Sequence, residues 1–501
     1  MTPLEAQRML QETRAMEERM LAELPWLAPI GALVLAAVIG VVLALALPRG
    51  RQGAAGAWVA ASHLAAALLA GAVWLDRGLR RVMEGTVVVD GLALATTGVL
   101  GVAGAVCVAL ARPAVAGTDR EGEFYAVLGA TTLAGAVLAH AGDVALIAIA
   151  LGLLSLGSFV LTGYLRGARR ANEASLKYYI YGTVSGAAML YGFSWWFGLA
   201  GSTGLSTIGE GLAQAPQAAV IVSTALVVIG LGYKAALVPF HFWTPDVYDG
   251  APLPVAAYLS VLPKIAGIVA LARVLPLALP GDLVGWTTAM AVVAAATMVV
   301  GTLAAIPQTS VVRLLAYSSI AQSGFLLMGV AAQEGSGRAL PALVFYAIAY
   351  AAGNLAAFAV VVAVQRERGS ADVACFAGLG RSHPWWTAAL FVALLSLFGL
   401  PPLAGFFAKL TVFRAALDAG QAWLALVGIL VTVISLFPYL KVLAPTVLSG
   451  IGDPGVRRPA LRAGPALVAA LAVSAVLTVL VGVAAEPFLS LAEEARAMGG
   501  R

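Results

Sequence analysis

Five of the thirty basic residues are lysines, and each lies in or at the edge of an apolar stretch. Lys234 and Lys264 flank the polar interruption PFHFWTPDVYDGAP, and Lys409 follows GLPPLAGFFA. Lys177 stands in NEASLKYYIYG, and Lys441 lies between Pro438 and Pro445. Burial can drive a lysine amine towards neutrality, whereas a guanidinium stays charged. A group that takes up and releases a proton inside an apolar medium is therefore suited to lysine and not to arginine. An ammonium at the bilayer centre costs ~2.5–3.5 kcal/mol on insertion scales, so intramembrane lysine reads first as functional.

Lys234, Lys264 and Lys409 each have a proline within seven residues, at Pro239, Pro263 and the pair Pro401–Pro402. Proline frees a carbonyl from the helix ladder, and that carbonyl can hold water or an ammonium. The three lysines are thus read as a relay of titratable amines. The competing reading is that lysines near helix ends snorkel to the headgroups. It suits Lys441 and suits the deeper Lys234 and Lys409 poorly. Lys177 follows Glu173 by four residues, the favourable order for a helical ion pair. Simple pairing and a place on the proton path both remain open for it. The interruption itself supplies His241, Asp246 and Asp249. It is either a break that carries carboxylates towards the lysines or an ordinary polar turn punctuated by Pro245, Gly250 and Pro252.

Other chemistries find no support. Cys107 and Cys375 fall in different apolar regions and read as small core residues. The four histidines, His63, His140, His241 and His383, are dispersed, with no metal, haem, P-loop or dinucleotide spacing.

The elements that position the lysines follow from composition. The 501 residues are 61% hydrophobic and 11% charged, too few charges to cover a water-soluble domain of this size. The chain reads as an all-α polytopic membrane protein. A net charge of +5 scattered over connecting loops excludes nucleic acid as a partner and leaves the lipid bilayer as the surroundings. Residues 1–24 are charged and helical in pattern, with no signal-peptide core, and read as an interfacial helix. Apolar spans of bilayer length follow at about 26–48, 55–75, 91–111, 123–141, 143–165, 174–200, 216–238, 251–275, 283–305, 311–332, 339–364, 385–419, 422–448 and 464–486, about fourteen in all. TVVVDG (86–91) alternates like a strand and predicts a surface hairpin.

Span 385–419 is too long for one crossing and contains Gly399-Leu-Pro-Pro402, which predicts a helix broken within the membrane. Spans 7 and 12 are then both interrupted, each with one lysine near its break. Paired broken helices mark the transport site of inverted-repeat transporters. Loops after odd-numbered spans hold fourteen arginines and loops after even-numbered spans hold six, Arg273 among them, which places both termini on the outer side.

At these residues the chain resembles a known family. KAALVPFHFWTPDVYDGAPLPV is similar to the signature of the N-type antiporter-like subunit of proton-pumping NADH:quinone oxidoreductase, respiratory complex I. NEASLKYY (172–179), QTSVVRLLAYSSIAQSGF (308–325) and LSLFGLPPLAGFFAKL (395–410) extend the resemblance over roughly residues 90–450. It implies fourteen helices with two inverted five-helix repeats and broken helices 7 and 12. On that pattern 25–122 holds helices 1–3, 123–275 the first repeat, 283–449 the second, and 463–501 helix 14 with the tail. It implies a bacterial plasma-membrane subunit with no cofactor of its own. NADH, flavin, iron–sulfur clusters and quinone are then expected in other subunits, and the other membrane-arm subunits, further antiporter-like ones included, as partners. Lys234, Lys264 and Lys409 fall on the family's central lysines and Lys177 on that of its sixth span.

Three positions depart from the family pattern. Gly152 stands in LGLLSL where a glutamate is usual, Val312 precedes the arginine of RLLAYSS, and Gln322 stands where histidine is common. Asp143 is nine residues from Gly152, ~13.5 Å along a helix, and cannot simply replace that glutamate. Two other functions stay open beside proton translocation. One is a subunit of a related cation/proton antiporter or membrane-bound hydrogenase. The other is a structural complex I subunit that does not pump.

Overall fold

Long runs of Ala, Leu, Val and Gly must satisfy their own backbone in lipid, and helices do so within one segment. The structure, a computed structural model, describes Arg14, Glu17, Glu18 and residues 21–76, 78–165, 168–448, 461 and 463–497. The interfacial helix expected over 1–24 lies largely outside the described residues.

Three helices come first: α1 (Ala28–Ala46), α2 (Gly53–Trp74) and α3 (Gly91–Val115). Between the last two, β1 (Arg80–Val82) pairs antiparallel with β2 (Val87–Val89), with Arg81 opposite Val88, which is the expected hairpin. Then follow α4 (Glu121–His140), α5 (Val144–Thr162), α6 (Arg169–Ala200), α7 (Leu205–Ala213), α8 (Gln217–Lys234), α9 (Trp243–Gly250) and α10 (Leu253–Ala278). The next group is α11 (Trp286–Ala305), α12 (Val311–Ala331), α13 (Ala339–Arg368), α14 (Leu379–Ser382), α15 (Pro384–Phe398), α16 (Ala404–Asp418) and α17 (Ala422–Leu448). α18 (Pro465–Val483) and α19 (Ala485–Ala497) close the order.

Among the described residues, twelve helices are long and apolar enough to cross a membrane. The sequence reading of about fourteen spans differs at two stretches. The sixth is the 32-residue α6, whose first turns, Arg169 to Lys177, are polar. The twelfth is two helices of 15 residues, α15 and α16, each too short to qualify alone. The short amphipathic α7 had no counterpart in the sequence reading, although Leu205, Ile208 and Leu212 bury one face of it at helical spacing.

α10, α12 and α13 are buried along nearly their whole length and form the centre. α1, α2, α17 and α18 bury only one side and turn Val, Leu and Ile outward, as lipid-facing helices do. One ion pair fastens the first three helices to this centre. Asp90 accepts from Ala93 N at 2.8 Å and so caps α3. It also takes a two-pronged bond from Arg273 Nη1 and Nη2 at 2.9 and 2.8 Å, while Arg273 Nε donates to Ala139 O at 3.0 Å. Arg273 was expected in a connecting loop. It is instead 6% exposed, because Asp90 and the end of α4 satisfy its donors.

Both interrupted helices appear, and they end alike. α8 closes with Leu237 N on Gly232 O at 2.8 Å and Ala236 N on Tyr233 O at 3.0 Å, with Ala236 left-handed at φ 58°. α15 closes with Leu400 N on Leu395 O at 2.9 Å, with Gly399 at φ 100°. A bond reaching back five residues past a left-handed residue is a Schellman-type cap, a firm stop followed by a change of direction.

Candidate functional site

The two stops and the central helix α10 place the lysines. Lys234 is the last residue of α8, Lys409 lies in the second turn of α16, and Lys264 sits midway along α10. Lys234 and Lys264 are 0% exposed and Lys409 is 4% exposed, so none of the three snorkels. Lys441 is exposed, with its Nζ on Ile306 O at 3.2 Å, as a lysine near a helix end is expected to be.

Each buried amine donates to neutral oxygen. Lys234 Nζ meets Ser155 Oγ and Tyr178 OH, both at 3.2 Å, from α5 and α6. The rings of Tyr178 and Phe159 lie 5.2 and 5.8 Å from it. Lys264 Nζ donates to Ser319 Oγ at 2.6 Å on α12 and stands 5.5 Å from the Tyr248 ring. Lys409 Nζ donates at 2.7 Å to Phe398 O, at the end of the broken α15, and lies 4.6 Å from the Phe325 ring. Here the break holds an ammonium on the carbonyl it exposes, as the proline argument expects. At the other break Tyr233 O, three residues before the left-handed Ala236, accepts from Trp243 Nε1 at 3.0 Å.

Two helices thread the three amines together. Gly267 on α10, three residues beyond Lys264, lies against the α8 stop. A Cβ there would be 3.4 Å from Lys234 Cβ and 3.1 Å from Ala235 N, so any larger residue would push the helices apart by a few tenths of an ångström. Aromatic rings fill the same interval: Tyr178 stacks on Trp243 at 4.4 Å, and Trp243 meets Tyr248 edge-on at 6.2 Å. On the other side α12 carries Ser319 under Lys264 and Phe325 under Lys409. Between them Gln322 donates to Leu397 O at 3.0 Å, next to the carbonyl that holds Lys409, and accepts from Tyr346 OH. The glutamine found where the family often has histidine thus bridges α12 to the second break.

The carboxylates of the interruption turn elsewhere. Asp246, on the short α9 outside the spanning helices, accepts from Lys177 Nζ at 2.9 Å and from Arg313 Nη1 at 3.0 Å. Glu173 also pairs with Lys177 at 2.9 Å, as its spacing predicts. Asp249 accepts from Ser310 Oγ at 3.5 Å. Partial burial opposes the charge on Asp246, but the hydrogen bonds and charges of Lys177 and Arg313 outweigh it and hold the carboxyl below its usual range. The interruption therefore does not bring its carboxylates to Lys234 or Lys264, and they tie α6 and α9 to α12 instead. His241 is buried against Phe242 with ring centroids 4.6 Å apart, and among the described residues its Nδ1 has no hydrogen-bond partner. Pro239 opens the connection after the α8 stop, and Pro401 and Pro402 the one after α15.

Sequence reasoning missed the acceptors: Ser155, Tyr178, Ser319 and the Phe398 carbonyl. Tyr178 had a signal, since it adjoins Lys177 in a motif already singled out. Asp143 is committed as the cap of α5, accepting from Ala145 N at 2.7 Å and Leu146 N at 3.4 Å. Gly152 leaves an open place beside Ser155, and a Cβ added there would meet nothing within 4 Å. Among the described residues no cluster of three His, Cys, Asp or Glu side chains could hold a metal ion.

Comparison with known proteins adds independent findings. Residues 141–435 match the family described as NADH:quinone oxidoreductase/Mrp antiporter, TM. The chain is 38% identical over 462 residues to NADH-quinone oxidoreductase subunit N 1 of Streptomyces griseus subsp. griseus, covering 91% of this chain and 95% of that one. It is similar, at 30% identity and a TM-score of 0.79, to a chain in a structure of respiratory complex I from Thermus thermophilus with bound aureothin, covering 93% of this chain and 99% of that chain. It is also similar, at 25% identity and a TM-score of 0.83, to a chain of the Mrp complex from Dietzia sp. DQ12-45-1b, with coverages of 95% and 97%.

Proposed function

The chain belongs to the NADH:quinone oxidoreductase/Mrp antiporter transmembrane family, as an N-type antiporter-like subunit of complex I, and from that premise we propose that it moves protons through its buried lysines. The observation that carries the reading is the set of three buried amines, each donating to a hydroxyl or carbonyl with no carboxylate within ion-pair distance among the described residues. A fixed carboxylate partner would hold such an amine protonated, so an amine that passes its proton on needs either neutral partners or a counter-charge that can withdraw. A neutral oxygen accepts from the charged amine without trapping it.

The proton enters where Lys177, Asp246 and Arg313 meet, reaches Lys234, and passes by way of water to Lys264 and then to Lys409. Quinone is reduced elsewhere in the assembly, and charge changes in neighbouring membrane-arm subunits drive the steps. Flavin, iron–sulfur clusters and quinone are held by those other subunits. Residues 123–275 and 283–449 act as two inverted repeats, each contributing one broken helix, and both termini lie on the outer side of the bacterial plasma membrane. The matching Schellman-type stops at Ala236 and Gly399 support the pairing of the breaks, and the arginine distribution supports the orientation.

The test is Lys234→Met in the assembled complex, reconstituted into sealed vesicles with a pH dye inside. Acidification driven by NADH oxidation should be lost, with the complex still assembled. Pumping at the unsubstituted rate would reject the relay. The open place at Gly152 favours a second reading, a subunit that holds the arm together and does not pump. A pumping defect on Lys234→Met rejects that reading.

A further inference from the structure

Among the described residues of its own chain Lys234 has only neutral partners, yet it stands beside an opening. A cleft of about 280 Å³ runs between α5 and α6, lined by Gly152, Ser155, Gly182, Gly186 and Lys234 among others. Gly152 is exposed at its rim, and a Cβ there would meet nothing within 4 Å. Lys234, at 0% exposed, lies at its inner end. The flank around the rim is apolar, with Ile149, Leu153 and Leu156 of α5 and Val184 and Leu190 of α6 turned outward. Small residues at the opening allow another helix to approach closely.

Depth decides what can enter. Gly152 is eight residues from Val144 and ten from Thr162 along α5, roughly 12–15 Å from either end. Lipid phosphates and carboxylates stay at the edges of an apolar layer about 30 Å thick. An anion at the level of Gly152 therefore arrives on a protein side chain.

We propose that this cleft docks a transmembrane helix of an adjacent membrane-arm subunit, which passes an Asp or Glu side chain over Gly152 to pair with Lys234. The counter-charge of this lysine is then intermolecular. The approach of the neighbouring helix and the protonation of Lys234 become one event, which gives the neighbour direct control of the first amine. The proposal rests on the reading of Lys234 as a proton carrier.

The test is the assembled complex carrying Gly152→Glu, with Gly152→Gln as the uncharged control. The first side-chain carbon of either residue meets nothing of this chain within 4 Å, and both side chains can extend into the cleft. Two carboxylates in one slot repel, so Gly152→Glu should lower pumping or retention of this subunit about tenfold or more, while Gly152→Gln has a smaller effect. Unchanged or improved pumping in Gly152→Glu overturns the proposal, and so does equal damage from both substitutions. A structure of the unsubstituted complex gives the direct reading: a carboxylate of another subunit within about 4 Å of Lys234 Nζ is expected. A lipid tail or water alone in the cleft overturns the docking. Lys234→Met in the same preparation separates the two ideas. Lost pumping there beside a harmless Gly152→Glu rejects the docking and keeps the relay. Unchanged pumping there rejects the relay, while the structure still decides the docking.

Discussion

At the scale of single residues, the site is made of amines and the neutral groups that receive them. Ser319 shows the arrangement most clearly. Its hydroxyl donates to Ala316 O at 2.7 Å, which leaves its lone pairs for Lys264 Nζ at 2.6 Å. A hydrogen bond to a charged group contributes ~1.5–3 kcal/mol. Ser319→Ala removes it without changing the fold, since the serine is buried on a well-formed helix and alanine is the better helix former. Pumping should fall roughly tenfold or more on that magnitude, with assembly intact. Proton uptake per NADH oxidised, measured in sealed vesicles, checks this; an unchanged ratio and rate would remove Ser319 from the site. The amines were legible in the sequence because an isolated lysine in an apolar run has few explanations. Their acceptors were not, because serine, tyrosine and backbone carbonyls are common in any helix and become specific only when the helices meet.

At the scale of elements, the two breaks do the positioning, and they are alike without being interchangeable. The stop of α8 places Ala236 at φ 58°, where a Cβ costs roughly 1–2 kcal/mol. The stop of α15 places Gly399 at φ 100°, and a Cβ there would lie 3.1 Å from Lys409 Cδ. The swap experiment is therefore asymmetric. Ala236→Gly should keep stability and pumping, because strain is relieved while chain freedom and one methyl contact are lost. Gly399→Ala should strain the stop by ~1–3 kcal/mol and push Lys409 off Phe398 O, lowering pumping. Thermal unfolding in detergent beside pumping rates tests both, and equal tolerance of the two changes would mean that the breaks are not rigid stops. Proline and glycine announced these breaks in sequence. The bond back to Gly232 and the capture of Tyr233 O by Trp243 could not be read there, since they depend on which way the chain turns after stopping. The same limit applied to Asp246 and Asp249. Their presence near Lys234 in the sequence left open a break that carries carboxylates towards the lysines, but α9 carries them to Lys177, Arg313 and Ser310.

At the scale of the whole molecule, the first three helices must stay seated on a centre that carries the lysines. The hairpin and α3 meet α4 and α10 through Asp90, Arg273 and the Ala139 carbonyl. The alternating TVVVDG made the hairpin legible, but Arg273 looked like an ordinary loop arginine, because its partner is 183 residues away in the chain. The pair is almost fully buried, with side chains 5% and 8% exposed. Replacing such a pair by neutral residues can be nearly neutral, whereas removing one partner leaves a buried charge and costs ~3–5 kcal/mol. Arg273→Met alone should accordingly lower the Tm of the detergent-solubilised complex and loosen the first three helices, seen as faster proteolysis at the hairpin. Adding Asp90→Asn removes the stranded charge and retains an oxygen for the α3 cap, so the double variant should recover most of the loss. A double variant as unstable as Arg273→Met would show that the seat depends on the bond from Arg273 Nε to Ala139 O and on packing around the guanidinium, with the paired charges contributing little.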